Sequence, residues 1–297
     1  DFKKYRSLAM ADGDRFRCKS DSEIALSLYR KHGLGFMKHL RGEFAFALYD
    51  AAEESLILVR DRFGIRPLFF NITKNRVVYG SEVKAVIRHP EVPARLNKQA
   101  VLNQMMQVMV PGTSAFAGVQ ALEPGHLLVI KRRNGKLEWE KKRYWDMNFP
   151  EEADRPPNPD AETHIQTIRE KLIESIVFRL EADVPVGCYL SGGIDSCCIL
   201  GLATGAMQSP VKAFTISFDN DDYDEASIAR EMALSMQADQ EVINLKADDL
   251  YGQNFVDTVR FAERTFYNTL GVAKMLMSRR VRECGYKTVI TGEGSDE

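Results

Sequence analysis

Residues 184–196 read VPVGCYLSGGIDS, and the fold turns on this stretch. Val184 to Leu190 is a short, largely apolar run with β-branched residues at its start, the pattern of a buried strand. It passes directly into Ser191, Gly192, Gly193, Ile194, Asp195 and Ser196, after which a helix is expected. Two adjacent glycines let the backbone turn tightly and approach an anion with no side chain in the way. The helix that follows offers free N–H groups and the positive end of its dipole to that anion. The hydroxyls of Ser191 and Ser196 can add donors. A phosphate would repel Asp195 unless a divalent cation lay between them, so this carboxylate implies Mg²⁺. A Walker A loop would need a lysine and a longer glycine spacing, and a dinucleotide fingerprint would need GxGxxG. For an SGG tripeptide alone, a helix N-cap with Asp195 as a first-turn dipole partner would be the favoured reading. The full hexapeptide between strand and helix favours the phosphate site.

Outward from this loop, strands and helices alternate. A helix over Ala161–Leu180 carries Ile165, Ile168, Leu172, Ile176 and Leu180 on one stripe. Strand VKAFTISF, a helix from Asp224, strand EVINL, a helix through Met275 to Cys284 and strand KTVIT follow. Strands spaced by helices pair in parallel and carry the helices on the faces of the sheet. Ligands then bind beyond the carboxyl ends of the strands, where TGEGSDE (Thr291 to Glu297) follows the last of them. The second strand leads into Asp219, Asp221, Asp222, Asp224 and Glu225. Most of that acidic run reads as a solvated loop, with Asp224 the member placed near magnesium.

The compositional break is FPEEADRPPNPDAE, from Phe149 to Glu162, which holds four of the eleven prolines. Proline removes backbone donors and fixes φ, so an extended, solvated linker is expected. Residues 1–149 then form one domain, 150–160 the linker and 161–297 a second domain. In the first, Ser20 and Asp21 precede a helix carrying Ile24 and Leu28, broken at Gly33 and Gly35. GEFAFALYD alternates large and small residues, as a strand buried on both faces would. SLILVRD, LFFNIT, RVVYGS and HLLVIKRR are further strands, the last before a turn at Asn134-Gly135. This is an antiparallel sheet domain with flanking helices.

A formal net charge of −2 gives no bulk attraction to nucleic acid or to an anionic membrane surface, so a phosphate ligand needs the local device above. The sequence holds no run of eighteen apolar residues, so no membrane-spanning helix is expected. The first residues lack the apolar core of a signal peptide. Five cysteines, an odd number with no CxxC pair, read as reduced thiols of a cytoplasmic protein.

YLSGGIDS, FTISFDNDDYDEASIARE and GYKTVITGEGSDE, with GEFAFALYD, RDRFGIRPLFF, GSEVKAV and LEPGHLLV upstream, resemble the glutamine-hydrolysing asparagine synthetases in both content and order. RDRFGIRPL resembles phosphoribosyl-pyrophosphate amidotransferases as well, but those lack a loop like SGGIDS, which resembles the pyrophosphate loop of ATP-pyrophosphatases. The resemblance implies an α+β Ntn-hydrolase-like antiparallel sandwich followed by a Rossmann-like parallel α/β ATP-pyrophosphatase domain, both incomplete. The implied reaction is ligation of aspartate and glutamine-derived ammonia, with ATP as co-substrate and Mg²⁺ as cofactor, through a β-aspartyl-adenylate. Dimers are common in the family, which leaves a homodimer open.

By the same resemblance, Asp21 matches the aspartate holding the α-amino group of glutamine. Leu190 and Ile216 match positions lining the ATP site, while Gly192 and Gly193, flanked by Ser191 and Ser196, cradle pyrophosphate. Asp195 and Asp296 match carboxylates on Mg²⁺, and Thr291 and Gly292 an ATP-contacting pair. Glu293 matches the glutamate that deprotonates incoming ammonia and helps form the adenylate. The family's N-terminal cysteine nucleophile has no match. Cys18 is no substitute, having no free α-amino group beside it, and is expected to be a packed or edge-strand thiol. A family lysine in a later helical region has no match either, so the chain reads as a fragment that is inactive alone. Two alternatives stay open: a relative adenylating another carboxylate in natural-product chemistry, and a non-catalytic scaffold, against which intact SGGIDS and GEGSDE argue.

Overall fold

The computed structural model describes residues 2–154, 160–207, 209–219 and 225–295, with the backbone alone for Phe2. It divides into two compact units, Asp1–Pro150 with Glu263–Thr265, and Glu151–Ala262 with Phe266–Glu297.

The first unit holds α1 (Phe2–Ala11), α2 (Ser22–His32), β1 (Ala45–Asp50), β2 (Ser55–Arg60), β3 (Phe69–Ile72), β4 (Val77–Gly80), α3 (Val83–Ile87), α4 (Lys98–Met105), β5 (Gln120–Ala121), β6 (His126–Arg133) and β7 (Lys136–Arg143). Two antiparallel sheets form, ordered β1-β2-β6-β7 and β4-β3-β5. Alternation along β2 and β6 sends residues to two different cores. Ile57, Val59 and Leu127 pack with Ile24 and Leu28 of α2, and with Phe36 and Met37 of the short 3₁₀ turn after it. Leu58, Leu128 and Ile130 pack with Leu68, Phe70 and Leu122 from the other sheet. The far side of that sheet meets Val83 and Val86 of α3. The layers are therefore helix, sheet, sheet, helix, as an antiparallel sandwich with flanking helices requires.

Strand β1 is not buried on both faces. Phe44, Phe46 and Leu48 join the core under α2, but Ala47 and Tyr49 are exposed. The reason is position, since β1 is an edge strand whose second face is covered only near Ala45. Nor is Cys18 packed or on a strand: it is an exposed thiol in the loop before α2.

The RDRFGIRPL stretch folds into a turn built around buried charge. Asp61, 1% exposed, accepts the backbone N–H groups of Phe63, Ile65 and Arg66 at 3.1, 3.0 and 2.9 Å. The Arg60 guanidinium donates to the carbonyls of Arg66, Leu122 and Gly64. The Tyr144 hydroxyl donates to the Arg60 carbonyl at 2.6 Å. Burial, with the charge of Asp61, pushes the Tyr144 phenol well above its usual range. Asp61→Ala would take the buried acceptor away from three backbone N–H groups at once, and is expected to lower the stability of this unit by about 3 kcal/mol. Both tryptophans, Trp139 and Trp145, lie in this unit. Urea unfolding followed by tryptophan fluorescence therefore reads the loss directly.

The second unit holds α5 (Ala161–Leu180), β8 (Val186–Tyr189), α6 (Ile194–Met207), β9 (Lys212–Phe218), α7 (Ala226–Ser235), β10 (Asp239–Leu245), α8 (Gly252–Ala262), α9 (Leu270–Glu283) and β11 (Thr288–Ile290). The Asp160 carboxylate caps α5 by accepting from Thr163 N at 2.8 Å. The sheet is parallel throughout and ordered β10-β9-β8-β11. Ile176, Leu200, Ala203, Ala229 and Ala233 from α5, α6 and α7 cover one face. Met277 and Val281 of α9 cover the other, over Phe214. Helices lie on both faces, as the alternating pattern requires. The stripe on α5 is buried only toward its end. Ile176 is 3% exposed and Leu180 packs, whereas Ile165 and Ile168 are 59% and 58% exposed, because the core reaches only the last turns of the helix. No helix among the described residues is long and apolar enough to cross a membrane.

Candidate functional site

The strand order creates a switch point. From β8 the chain steps outward to β9 and β10, then returns to place β11 on the opposite side of β8. The helix leaving β8, α6, lies on one face of the sheet and the helix entering β11, α9, on the other, and open α/β sheets bind ligands beyond the carboxyl ends of the strands at such a switch point. The loop after β8 is SGGIDS and the loop after β11 is TGEG.

The two loops touch. A Cβ on Gly292 would lie 2.7 Å from the carbonyl carbon of Asp195, 2.8 Å from Ser196 N and 2.9 Å from the Asp195 Cβ. Glycine alone permits this approach, which brings Thr291–Glu293 against the first turn of α6. Gly192 is needed for a separate reason. Its φ is +92°, and a Cβ there would meet Glu225 O at 3.0 Å and Ala229 N at 3.1 Å. A Cβ on Gly193 would meet only Ser191 Oγ, at 3.4 Å.

The serines close the loop on itself. Ser196 Oγ donates to Gly193 O at 3.0 Å and accepts from Ser191 N at 3.2 Å. Ser191 Oγ lies 3.0 Å from Ser196 Oγ and accepts from Gly193 N at 3.3 Å. In this arrangement both hydroxyls hold the loop's shape instead of pointing outward as anion donors. Leu190 is buried, its N–H bonded to Phe214 O at 2.9 Å. Ile216 packs its side chain into the core beneath α9, and its backbone lies in the parallel ladder opposite Ile243 of β10. Beneath the loop, burial pushes the Cys188 thiol up to about 12, so it is a packing group.

Asp195 is half-buried in the first turn of α6. Glu293 donates its backbone N–H to Thr291 Oγ1 at 3.1 Å, and its carboxylate meets Lys274 Nζ at 2.5 Å. Asp224 and Asp296 lie outside the described residues. Among the described residues no group of three or more His, Cys, Asp or Glu side chains could hold a metal by itself. Magnesium, however, commonly takes one or two carboxylates together with substrate phosphates and water. Asp195 beside a glycine loop suits such a shared site, not an all-protein cage.

In the first unit, Asp21 sits at the start of α2 but makes no side-chain cap bond to the helix. Its Oδ1 accepts only long bonds from Ser20 Oγ at 3.4 Å and Ser22 Oγ at 3.5 Å. The exposed carboxylate is therefore not needed as a cap. Lys274 is the site residue that sequence reasoning passed over, because a lysine on an amphipathic helix reads as a solvated face.

The Asparagine synthase family matches residues 167–297, and the family described as Glutamine amidotransferase domain matches residues 1–145. The chain is asparagine synthetase-like, an amidotransferase domain followed by an asparagine synthase domain. Across its whole length it is 33% identical to amidase chry2 of Gibberella zeae and 34% identical to amidase chyE of Penicillium rubens. It spans 45% of the length of each of these relatives. Over 73% of this chain it is 31% identical to glutamine-hydrolysing asparagine synthetase 3 of Bacillus subtilis, covering 35% of that protein. A solved NH3-dependent NAD synthetase from Campylobacter jejuni overlaps 42% of this chain and 54% of its own at 22% identity, with a TM-score of 0.31.

Proposed function

We propose that the protein carrying this chain activates aspartate as β-aspartyl-AMP and converts it to asparagine with ammonia drawn from glutamine. The observation that carries this reading is the contact between SGGIDS and TGEG at the switch point of the parallel sheet. In balance, aspartate and ATP give the acyl-adenylate and pyrophosphate; ammonia then displaces AMP, and glutamine with water supplies glutamate and that ammonia.

Within the second unit, the backbone of Gly192 and Gly193 and the amino end of α6 receive the departing pyrophosphate. Thr291 and Gly292, with the main chain at Leu190 and Ile216, line the nucleotide. Asp195, joined by Asp224 and Asp296, would hold Mg²⁺, which supplies charge neutralisation on the phosphates. Adenylation is an in-line displacement at the α-phosphate, so positioning dominates. Ammonium is not a nucleophile, and the Glu293 carboxylate takes the proton before attack. In the first unit, Asp21 receives the glutamine ammonium through a charge-assisted bond.

The amidase relatives favour a second reading, the same adenylating site serving another carboxylate or amine. Exchange of labelled pyrophosphate into ATP by the full-length protein, tested with aspartate and with other carboxylates, separates the two. Aspartate-dependent exchange supports the first, and exchange with a different acid alone supports the second. No exchange with any acid would remove adenylation altogether. Asp21→Ala is expected to lower glutamine-dependent synthesis at least about tenfold while synthesis from ammonium stays nearly intact. Equal loss with both nitrogen sources would make Asp21 a folding residue.

A further inference from the structure

The buried stripe Val272, Ala273, Met277 and Val281 docks α9 on the sheet and sets its rotation. Lys274 consequently lies beside the carboxyl ends of β8 and β11. One turn along, Ser278 Oγ donates to Lys274 O at 2.8 Å and lies 3.0 Å from the Tyr189 hydroxyl, at the last residue of β8. The ammonium itself sits 2.5 Å from Glu293 Oε1, and the adjacent Gly292 packs on Asp195 and Ser196.

This pair presents a chemical conflict. A carboxylate that accepts from an ammonium has a lone pair occupied and its charge neutralised, which opposes its use as a base. The phosphate loop has the converse need. SGGIDS contains no lysine, the point charge that phosphate loops of other designs place on the nucleotide. Its own charged side chain, Asp195, has the same sign as the ligand. A polyphosphate entering here brings several negative charges beside two carboxylates, and Lys274 is the cation next to them.

We propose that Lys274 is a ligand for the nucleotide's phosphates, held on Glu293 while the site is empty, so that arrival of ATP frees the glutamate. The inference rests on the adenylating reading above and gives that site a device for sequence: no nucleotide, no free base. The energetics permit the exchange. The Lys274 and Glu293 side chains are 42% and 65% exposed, and ion pairs so open to water contribute little, because solvent screens both charges. A charge-assisted bond to a polyphosphate in the loop outcompetes such a pair.

The test is calorimetric titration of MgATP into the full-length protein and its K274A, K274R, E293Q and K274A/E293Q variants. Lys274→Ala is expected to weaken MgATP about tenfold, and Lys274→Arg to restore most of the loss. Glu293→Gln removes the competing carboxylate and is expected to tighten MgATP a few-fold. In the double variant that gain disappears, because it acts through the lysine. A lysine that merely steadies Glu293 would give wild-type affinity in K274A, and this result overturns the proposal. So does a Glu293→Gln gain of equal size with and without Lys274. An Asp195→Asn control keeps the two ideas apart. If MgATP does not bind the wild type, the adenylating reading fails as well. If it binds and Asp195→Asn weakens it while Lys274→Ala does not, only the role of Lys274 falls.

Discussion

Glu293→Gln is expected to leave a folded protein that still binds ATP, with amide formation reduced at least about a hundredfold. The glutamine keeps the shape of the side chain, and the backbone bond from residue 293 to Thr291 Oγ1 does not depend on the carboxylate. What it loses in the resting protein is one exposed ion pair, too weak to threaten the fold. Catalysis and stability therefore separate in this variant. A purely structural glutamate predicts the reverse, a lowered melting temperature with turnover per folded molecule unchanged. Product formation should be measured with glutamine and with free ammonium, since a base acting on ammonia is needed for both. Loss of adenylate formation as well would extend the role of Glu293 to positioning ATP. Near wild-type synthesis from either nitrogen source would remove it from the mechanism.

Asp195→Asn is the second large effect. Pyrophosphate–ATP exchange is expected to fall by two to three orders of magnitude, roughly the loss when a group stabilising transferred charge is removed. Asparagine is nearly isosteric, and its amide still suits the first turn of a helix. The cost to α6 is confined to a dipole contribution of about 0.5 kcal/mol. Raising magnesium should recover part of the rate if the carboxylate's task is to hold that ion. Unchanged exchange in Asp195→Asn at ordinary magnesium would mean that SGGIDS is a helix cap and not a phosphate site.

The strand–loop–helix around SGGIDS was legible because every local signal agreed: an apolar run, a glycine pair, and polar residues where a helix begins. Parallel pairing followed from alternation. The position of β11 did not, since nothing local tells a strand which edge of a sheet it will join. The same limit explains β1, whose alternation marks two faces without telling that Ala47 and Tyr49 would lie at an open edge. It also explains α5, where periodicity identified the face carrying Ile165 and Ile168 but not how far the core extends beneath it. Helix α8 went unread between EVINL and the helix of Met275, although its residues 252–262 carry an apolar face. The RDRFGIRPL stretch was visible as a motif, whereas its physical basis, a buried carboxylate gathering three amides, needs the turn to be seen in space. Of the site, the glycines were readable from conformational logic. The inward-turned hydroxyls of Ser191 and Ser196 and the lysine on Glu293 are products of tertiary packing.

The contact of Gly292 with Asp195 also has a consequence in time. Strand β8 is held on its β11 side by residues that lie about a hundred positions later, Thr288 pairing with Val186, and such distant parallel pairing is slow to form. Until β11 docks, the glycine loop lacks its contact with Gly292, and Glu293 is not yet held beside Asp195. The nucleotide cradle thus matures late in folding. Ligand that binds only the finished cradle draws the chain toward its native state by mass action. A newly made molecule would then gain protection from proteolysis at residues 184–196 in step with the docking of β11, and sooner when ATP is abundant.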